Sequence, residues 1–196
     1  MSNIVMDDDP DDEPPSGSDN RTRVLDAAEQ LFAQLNYTEV SIKRIAATAK
    51  MSKTTLYKTF SDKHEIFDFV ANRFVAQVVE AMDSCLAGTG PLADRLIDAL
   101  TTRNRMCAQI ENSTFAYVLF NRRHGEVEMI VQQLGEQVRQ QLLTAITGAG
   151  IDPDKGTILA RVLAATSDGI AHHMTDQATA DGDVAIIVRA LIPDGT

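Results

Sequence analysis

From Arg21 to the end of the chain, apolar residues recur every three or four positions, and no stretch alternates in the manner of a strand. A sequence with that period can bury its apolar groups only by packing helix on helix, so the fold expected is all-α. The first helix is expected from about Thr22 to Asn36, with Val24, Leu25, Ala28, Leu31, Phe32 and Leu35 on one face. Ser41 offers an N-cap to a short second helix in which Ile42, Ile45, Ala46 and Ala49 fall on one side, and Ser52 caps a third, from about Lys53 to Phe60. A long helix then starts at Ser61 or Asp62 and buries Ile66, Phe67, Val70, Phe74, Val78 and Met82. Beyond the break at residues 88–91, further helices are expected near 91–108, 111–121, 125–147, 154–175 and 183–192, with "GAGIDPD" and "TADGD" as breakers.

Charge is distributed unevenly along the chain. The formal net charge is −10, which taken alone would repel nucleic acid. Residues 1–20, "MSNIVMDDDPDDEPPSGSDN", hold seven acids, three prolines and no base, and the expectation is a disordered acidic tail. Such a tail is either a solvated appendage or an anion that competes with phosphates. Residues 41–63 hold Lys43, Arg44, Lys50, Lys53, Lys58 and Lys63 against Asp62 alone. A basic island inside an acidic chain is the electrostatic footprint of a phosphate-binding surface.

Several classes of function have nothing to stand on. No run approaches the roughly 18 apolar residues of a membrane span, and the N-terminus has neither the basic head nor the apolar stretch of a secretory signal, so a cytoplasmic location is expected. Cys85 and Cys107 lack metal-ligand spacing and read as ordinary thiols. His172 and His173 point about 100° apart on a helix, which suits a helix end or an interface better than a metal site with Asp176. Glycine-rich phosphate loops, a serine elbow and paired catalytic carboxylates are missing, so no enzyme, cofactor or metal is expected.

The stretch "SIKRIAATAKMSKTTLYKTF" therefore carries the functional signal. Its two short helices are joined by about three residues, and the second turns Leu56 and Phe60 inward while leaving Lys53, Thr54, Tyr57 and Lys58 outward. That pattern fits a helix-turn-helix, whose second helix enters the DNA major groove. Lysine neutralises phosphate or donates to base edges, and the threonine methyl meets that of thymine. The same pattern also describes a solvated face on an ordinary helical pair.

Extended to "SIKRIAATAKMSKTTLYKTFSDKHEIF", the stretch resembles the signature of the tetracycline-repressor (TetR) family of transcriptional regulators through Ser41, Ile45, Ala46, Ala49, Ser52, Leu56, Tyr57, Phe60 and Lys63, with Met51 and Ile66 as conservative stand-ins. Two positions depart from it: Lys50 stands where the family has a turn glycine, and Thr59 where many members have histidine. The resemblance implies an N-terminal three-helix DNA-binding domain over 21–65 and a larger helical ligand-binding and dimerisation domain over 66–196. By analogy, Lys43 and Lys53 contact bases, Thr54 and Tyr57 contact bases or methyl groups, and Ser41, Thr55, Lys58, Thr59 and Lys63 contact phosphates. Arg21 and Arg23 are placed to clamp the flanking backbone.

The larger half is expected to enclose an effector cavity, for which "MCAQIENSTFAYVLF" and its surroundings offer Met106, Ile110, Phe115, Tyr117, Leu119 and Met129 as lining. The last two helices, rich in small and apolar residues, suit a four-helix contact between two subunits. The function so implied is that of a ligand-responsive regulator, a repressor, that binds a near-palindromic double-stranded operator as a homodimer and is released by a small molecule. A constitutive DNA-binding or bridging protein without an inducer is the alternative.

Overall fold

The computed structural model of the chain describes residues 17–35, 37–111, 125–173 and 176–192, and among these there are eight helices and no strand. They are α1 (Gly17–Gln34), α2 (Ile42–Thr48), α3 (Lys53–Tyr57), α4 (Lys63–Leu86), α5 (Leu92–Glu111), α6 (Gly125–Gly148), α7 (Pro153–His173) and α8 (Gln177–Leu191). The helix expected near 111–121 lies outside the described residues. No helix among those described is long and apolar enough to cross a membrane.

Two apolar clusters organise the chain. The first gathers Val24, Ala28 and Phe32 of α1, Ile45 and Ala46 of α2, Leu56 of α3, Phe60, and Ile66, Phe67, Val70, Ala71 and Val75 of α4. At its centre Phe67 meets Phe32 edge to face at 5.1 Å and Tyr37 at 5.3 Å, while Phe32 and Tyr37 stack at 5.7 Å. The second cluster joins Val78, Met82 and Leu86 of α4 to the apolar faces of α5, α6, α7 and α8. Helix α4 thus belongs to both, and its 24 residues span about 36 Å at 1.5 Å per residue. A second strut comes from α6, whose Ile130 is buried in the first cluster and whose Leu134 packs against both.

Caps explain most boundaries. Ser41, Ser52 and Asp62 accept hydrogen bonds from the backbone N–H groups of Arg44, Thr55 and Glu65, which starts α2, α3 and α4 where the sequence indicates. Glu65 reaches back to accept from the Ser61 N–H at 2.6 Å and its hydroxyl at 2.8 Å, and those bonds hold its carboxyl below the usual range. Two helix starts differ from expectation. Helix α1 starts at Gly17 rather than near Thr22, with Asp19 in its first turn facing the positive end of the helix dipole. Helix α8 starts at Gln177 rather than near 183, because Asp176 caps it through the Thr179 N–H at 2.9 Å. Gly182, expected to break the chain, sits inside that helix, where its cost of about 1 kcal/mol is offset by burial of Ala180, Val184 and Val188.

Candidate nucleic-acid interface

The turn between α2 and α3 is the first thing that places the outward side chains. Lys50 has φ 54°, the left-handed conformation that usually calls for glycine. Its N–H donates to the Ala47 carbonyl at 3.1 Å and the Met51 N–H to the Ala46 carbonyl at 2.9 Å, the paired bonds that close a helix sharply. The same closure ends α6, where glycine, Gly150, takes the left-handed position at φ 89°. In the first turn the strain of lysine is held by Arg23, whose guanidinium donates to the carbonyls of Ala49 at 2.7 Å and Lys50 at 3.1 Å. Lys50→Gly is therefore expected to raise stability by about 1 kcal/mol, read as a higher urea midpoint; no gain would mean the turn is unstrained.

From that turn α3 leaves with Leu56 fully buried beneath it and Phe60 just beyond, both in the first cluster. The α-helix ends at Tyr57, earlier than expected, and a tighter turn carries the chain on, with the Thr59 and Phe60 N–H groups donating to the Leu56 carbonyl. Lys53, Thr54 and Lys58 are exposed on the opposite side, and Tyr57 keeps 54 % of its surface open. Lys43 and Ser41 are exposed on the neighbouring α2, although the Ser41 hydroxyl oxygen also accepts the capping bond at 3.3 Å. All six are exposed on α2, α3 and their flanking caps. Thr55 is half-buried with its hydroxyl 2.9 Å from that of Ser52, and Thr59 is half-buried.

Three basic residues are used differently from the sequence expectation. Lys63, expected at a phosphate, turns inward: its ammonium donates to the carbonyls of Tyr37 at 2.7 Å and Val40 at 3.0 Å and sits 3.9 Å from the Tyr37 ring centre. Burial pulls its pKa down, and the two carbonyls with the ring face offset that cost by holding the charge. Arg23, expected on flanking DNA, is the clamp on the α2–α3 turn. Arg21 lies over the rings of Phe69 at 4.0 Å and Phe60 at 4.9 Å. Tyr37 was not singled out from the sequence, since a lone aromatic in a turn carries no periodic signal. Lys63→Met should cost about 1–3 kcal/mol by leaving two carbonyls without their donor, while the salt dependence of duplex binding stays as it was. A salt slope reduced by about one would instead place Lys63 at a phosphate.

The geometry agrees with the comparisons. The family model described as bacterial regulatory proteins, tetR family, matches residues 24–70. Over those residues the chain is similar to TetR-family regulators. Among curated relatives, an HTH-type transcriptional regulator of Mycobacterium tuberculosis is 31% identical over 84 residues, 43% of this chain and 42% of that protein. One from Bacillus subtilis is 26% identical over 82 residues, 42% of this chain and 43% of that protein. The match therefore spans less than half the length of these relatives. The fold extends further than the sequence likeness: a tetR-family regulator from Streptomyces coelicolor superposes with TM-score 0.71 at 16% identity, covering 89% of this chain and 80% of that one. SmeT, the repressor of a Stenotrophomonas maltophilia multidrug efflux pump, gives TM-score 0.66 at 18% identity, covering 90% and 94%. Within the TetR-like segment, the departure at Lys50 keeps the left-handed turn and changes only the residue that adopts it.

The larger half offers less. Of the expected cavity lining, Phe115, Tyr117 and Leu119 lie outside the described residues, as does the side chain of Ile110. Met106 packs at the margin of the second cluster, and Met129 is 62 % exposed. An open groove of about 410 Å³ runs between α4 and α6, bordered by Val75, Val79, Glu80, Asp83, Gln133 and Gln137, and neither methionine borders it. Among the described residues no group of three or more His, Cys, Asp or Glu could hold a metal ion, and His172 and His173 occupy the last turn of α7.

Proposed function

We propose that this protein is a ligand-responsive transcriptional repressor of the cytoplasm that binds a near-palindromic operator as a homodimer and leaves it when a small molecule binds the larger half. The observation that carries the reading is the outward face of α3, where Lys53, Thr54, Tyr57 and Lys58 are open over a buried Leu56 and Phe60. Lys53 and Lys43 are assigned to base edges, Thr54 and Tyr57 to bases and methyl groups, and Ser41 and Lys58 to phosphates, with Thr55 and Thr59 in supporting positions at the groove edge.

Two recognition helices must lie about 34–36 Å apart to enter successive major grooves, which requires two subunits. Support for a pairing face comes from α7 and α8, which leave Ile158 and Ile186 more than half exposed beside small residues. Support for ligand response comes from the α4–α6 groove: α4 runs on into the core of the DNA-binding domain and α6 places Ile130 there, so a molecule wedged between them displaces the reading heads. SmeT, the repressor of an efflux pump, is a protein of similar fold.

The test is selection of duplexes from a random pool by the intact protein, followed by titration of metabolite extracts against the selected complex. A palindromic consensus with half-sites about one helical turn apart is the expected result, with release by at least one extract fraction. A palindrome indifferent to every fraction would leave a constitutive DNA-binding protein instead.

A further inference from the structure

We propose that the acidic segment 1–16 docks on the basic face of its own helix-turn-helix and competes with DNA for it, an autoinhibitory contact that rests on the DNA-binding reading above. Three observations meet here. The first is charge: residues 1–16 carry Asp7, Asp8, Asp9, Asp11, Asp12 and Glu13 with no base, whereas five of the six lysines of the chain lie between residues 43 and 63, the sixth being Lys155. Four of those five, Lys43, Lys50, Lys53 and Lys58, are exposed, and Lys63 is the one turned inward.

The second is where the segment is tethered. Helix α1 begins at Gly17, and its two basic residues are anchored around the helix-turn-helix: Arg23 on the carbonyls of Ala49 and Lys50, Arg21 over Phe69 of α4 at 4.0 Å and over Phe60, just beyond α3, at 4.9 Å. Gly17 precedes Arg23 by six residues, about 9 Å of helix, so the point to which the segment is joined lies within that distance of a residue bonded to the turn that presents Lys50 and Lys53. The third is reach. Sixteen residues span up to about 50 Å when extended, well beyond what the recognition surface requires, and the acids closest in sequence to α1 are only a few residues from it. A tether of that length gives an effective concentration on the order of millimolar. Weak ion pairs then suffice to occupy the face, and they fade with salt as phosphate contacts do. The consequence is selective: a duplex of any sequence meets a competitor of similar chemistry, whereas an operator adds base contacts that the segment lacks.

The experiment uses the full-length chain and a full-length variant in which the five aspartates become Asn and Glu13→Gln is added. Affinity for a random-sequence duplex is measured at about 50 mM and about 200 mM salt, with the variant expected to bind roughly tenfold tighter at the lower salt and nearly alike at the higher. Zero-length carbodiimide coupling, which joins a carboxylate to an amine, is then mapped by mass spectrometry on the native chain. Linkages from residues 7–13 to Lys43, Lys50, Lys53 or Lys58 that disappear when duplex is added support docking. Linkages to Lys155 alone, or none, together with equal duplex affinities, overturn it while leaving DNA binding intact. If neither form binds duplex in a salt-dependent way, the DNA-binding reading fails, and the linkages still decide the docking.

Discussion

Replacing Lys53 and Tyr57 together by alanine is expected to weaken binding to a selected operator by roughly 30-fold to 1,000-fold, about 2–4 kcal/mol for two groove contacts. The thermal midpoint and the oligomeric state should not change, because both side chains are exposed and neither belongs to the buried clusters. The two halves of the loss differ in kind. Removing Lys53 deletes a charged donor at a base edge and should relax the sequence preference at that position; removing Tyr57 deletes a ring and a hydroxyl and should leave the salt slope alone. Lys155→Ala, a surface lysine on α7, serves as the control for net charge. An operator affinity unmoved by the double substitution would remove α3 from the interface.

Phe67→Ala should destabilise the N-terminal domain by about 3–5 kcal/mol, the range for emptying a buried aromatic site, and duplex binding should disappear with it. Phe67 is only 1 % exposed, and its ring is the common neighbour of Phe32 and Tyr37. Losing it also slackens the Tyr37 ring against which the Lys63 ammonium rests, so the loop leading into α2 loses both supports. Phe69→Ala, two residues on and 37 % exposed, should cost far less, by virtue of the water already at its ring. Chemical denaturation of the two variants side by side checks the difference. Equal losses would mean that the aromatic centre is not the fulcrum of this domain.

The parts of the site that were readable in the sequence are those written in local spacing. Ser41 and Ser52 announce two helix starts, and Leu56 with Phe60 identifies the inner face of α3, from which the outer face follows. The turn glycine that the resemblance places at position 50 points to a left-handed backbone, and Lys50 has φ 54°. What local spacing does not carry is the distant partner of a long cation. Lys63 meets carbonyls 23 and 26 positions away, and Arg23 meets carbonyls 26 and 27 positions away. A lysine or arginine on a basic stretch looks the same whether its charge faces phosphate or caps a neighbouring turn. The start of α8 was misplaced for a related reason: Gly182 reads as an interruption until the cap at Asp176 and the burial on either side outweigh it. Met106, Ile110, Phe115, Tyr117, Leu119 and Met129 suit an effector wall by side-chain type alone, and type does not separate a cavity lining from an ordinary core.

Ile130 has a bearing on how such proteins are cut and rejoined. A side chain from the far half of the sequence is buried in the cluster that the first three helices share with α4, and α4 runs without interruption from that cluster into the other. The head is consequently not a cassette that lifts out at residue 65. A chimera that exchanges it should be spliced within α4 beyond Val75 and should import the matching α6 residue, or the graft will carry an open apolar hole where its floor belongs.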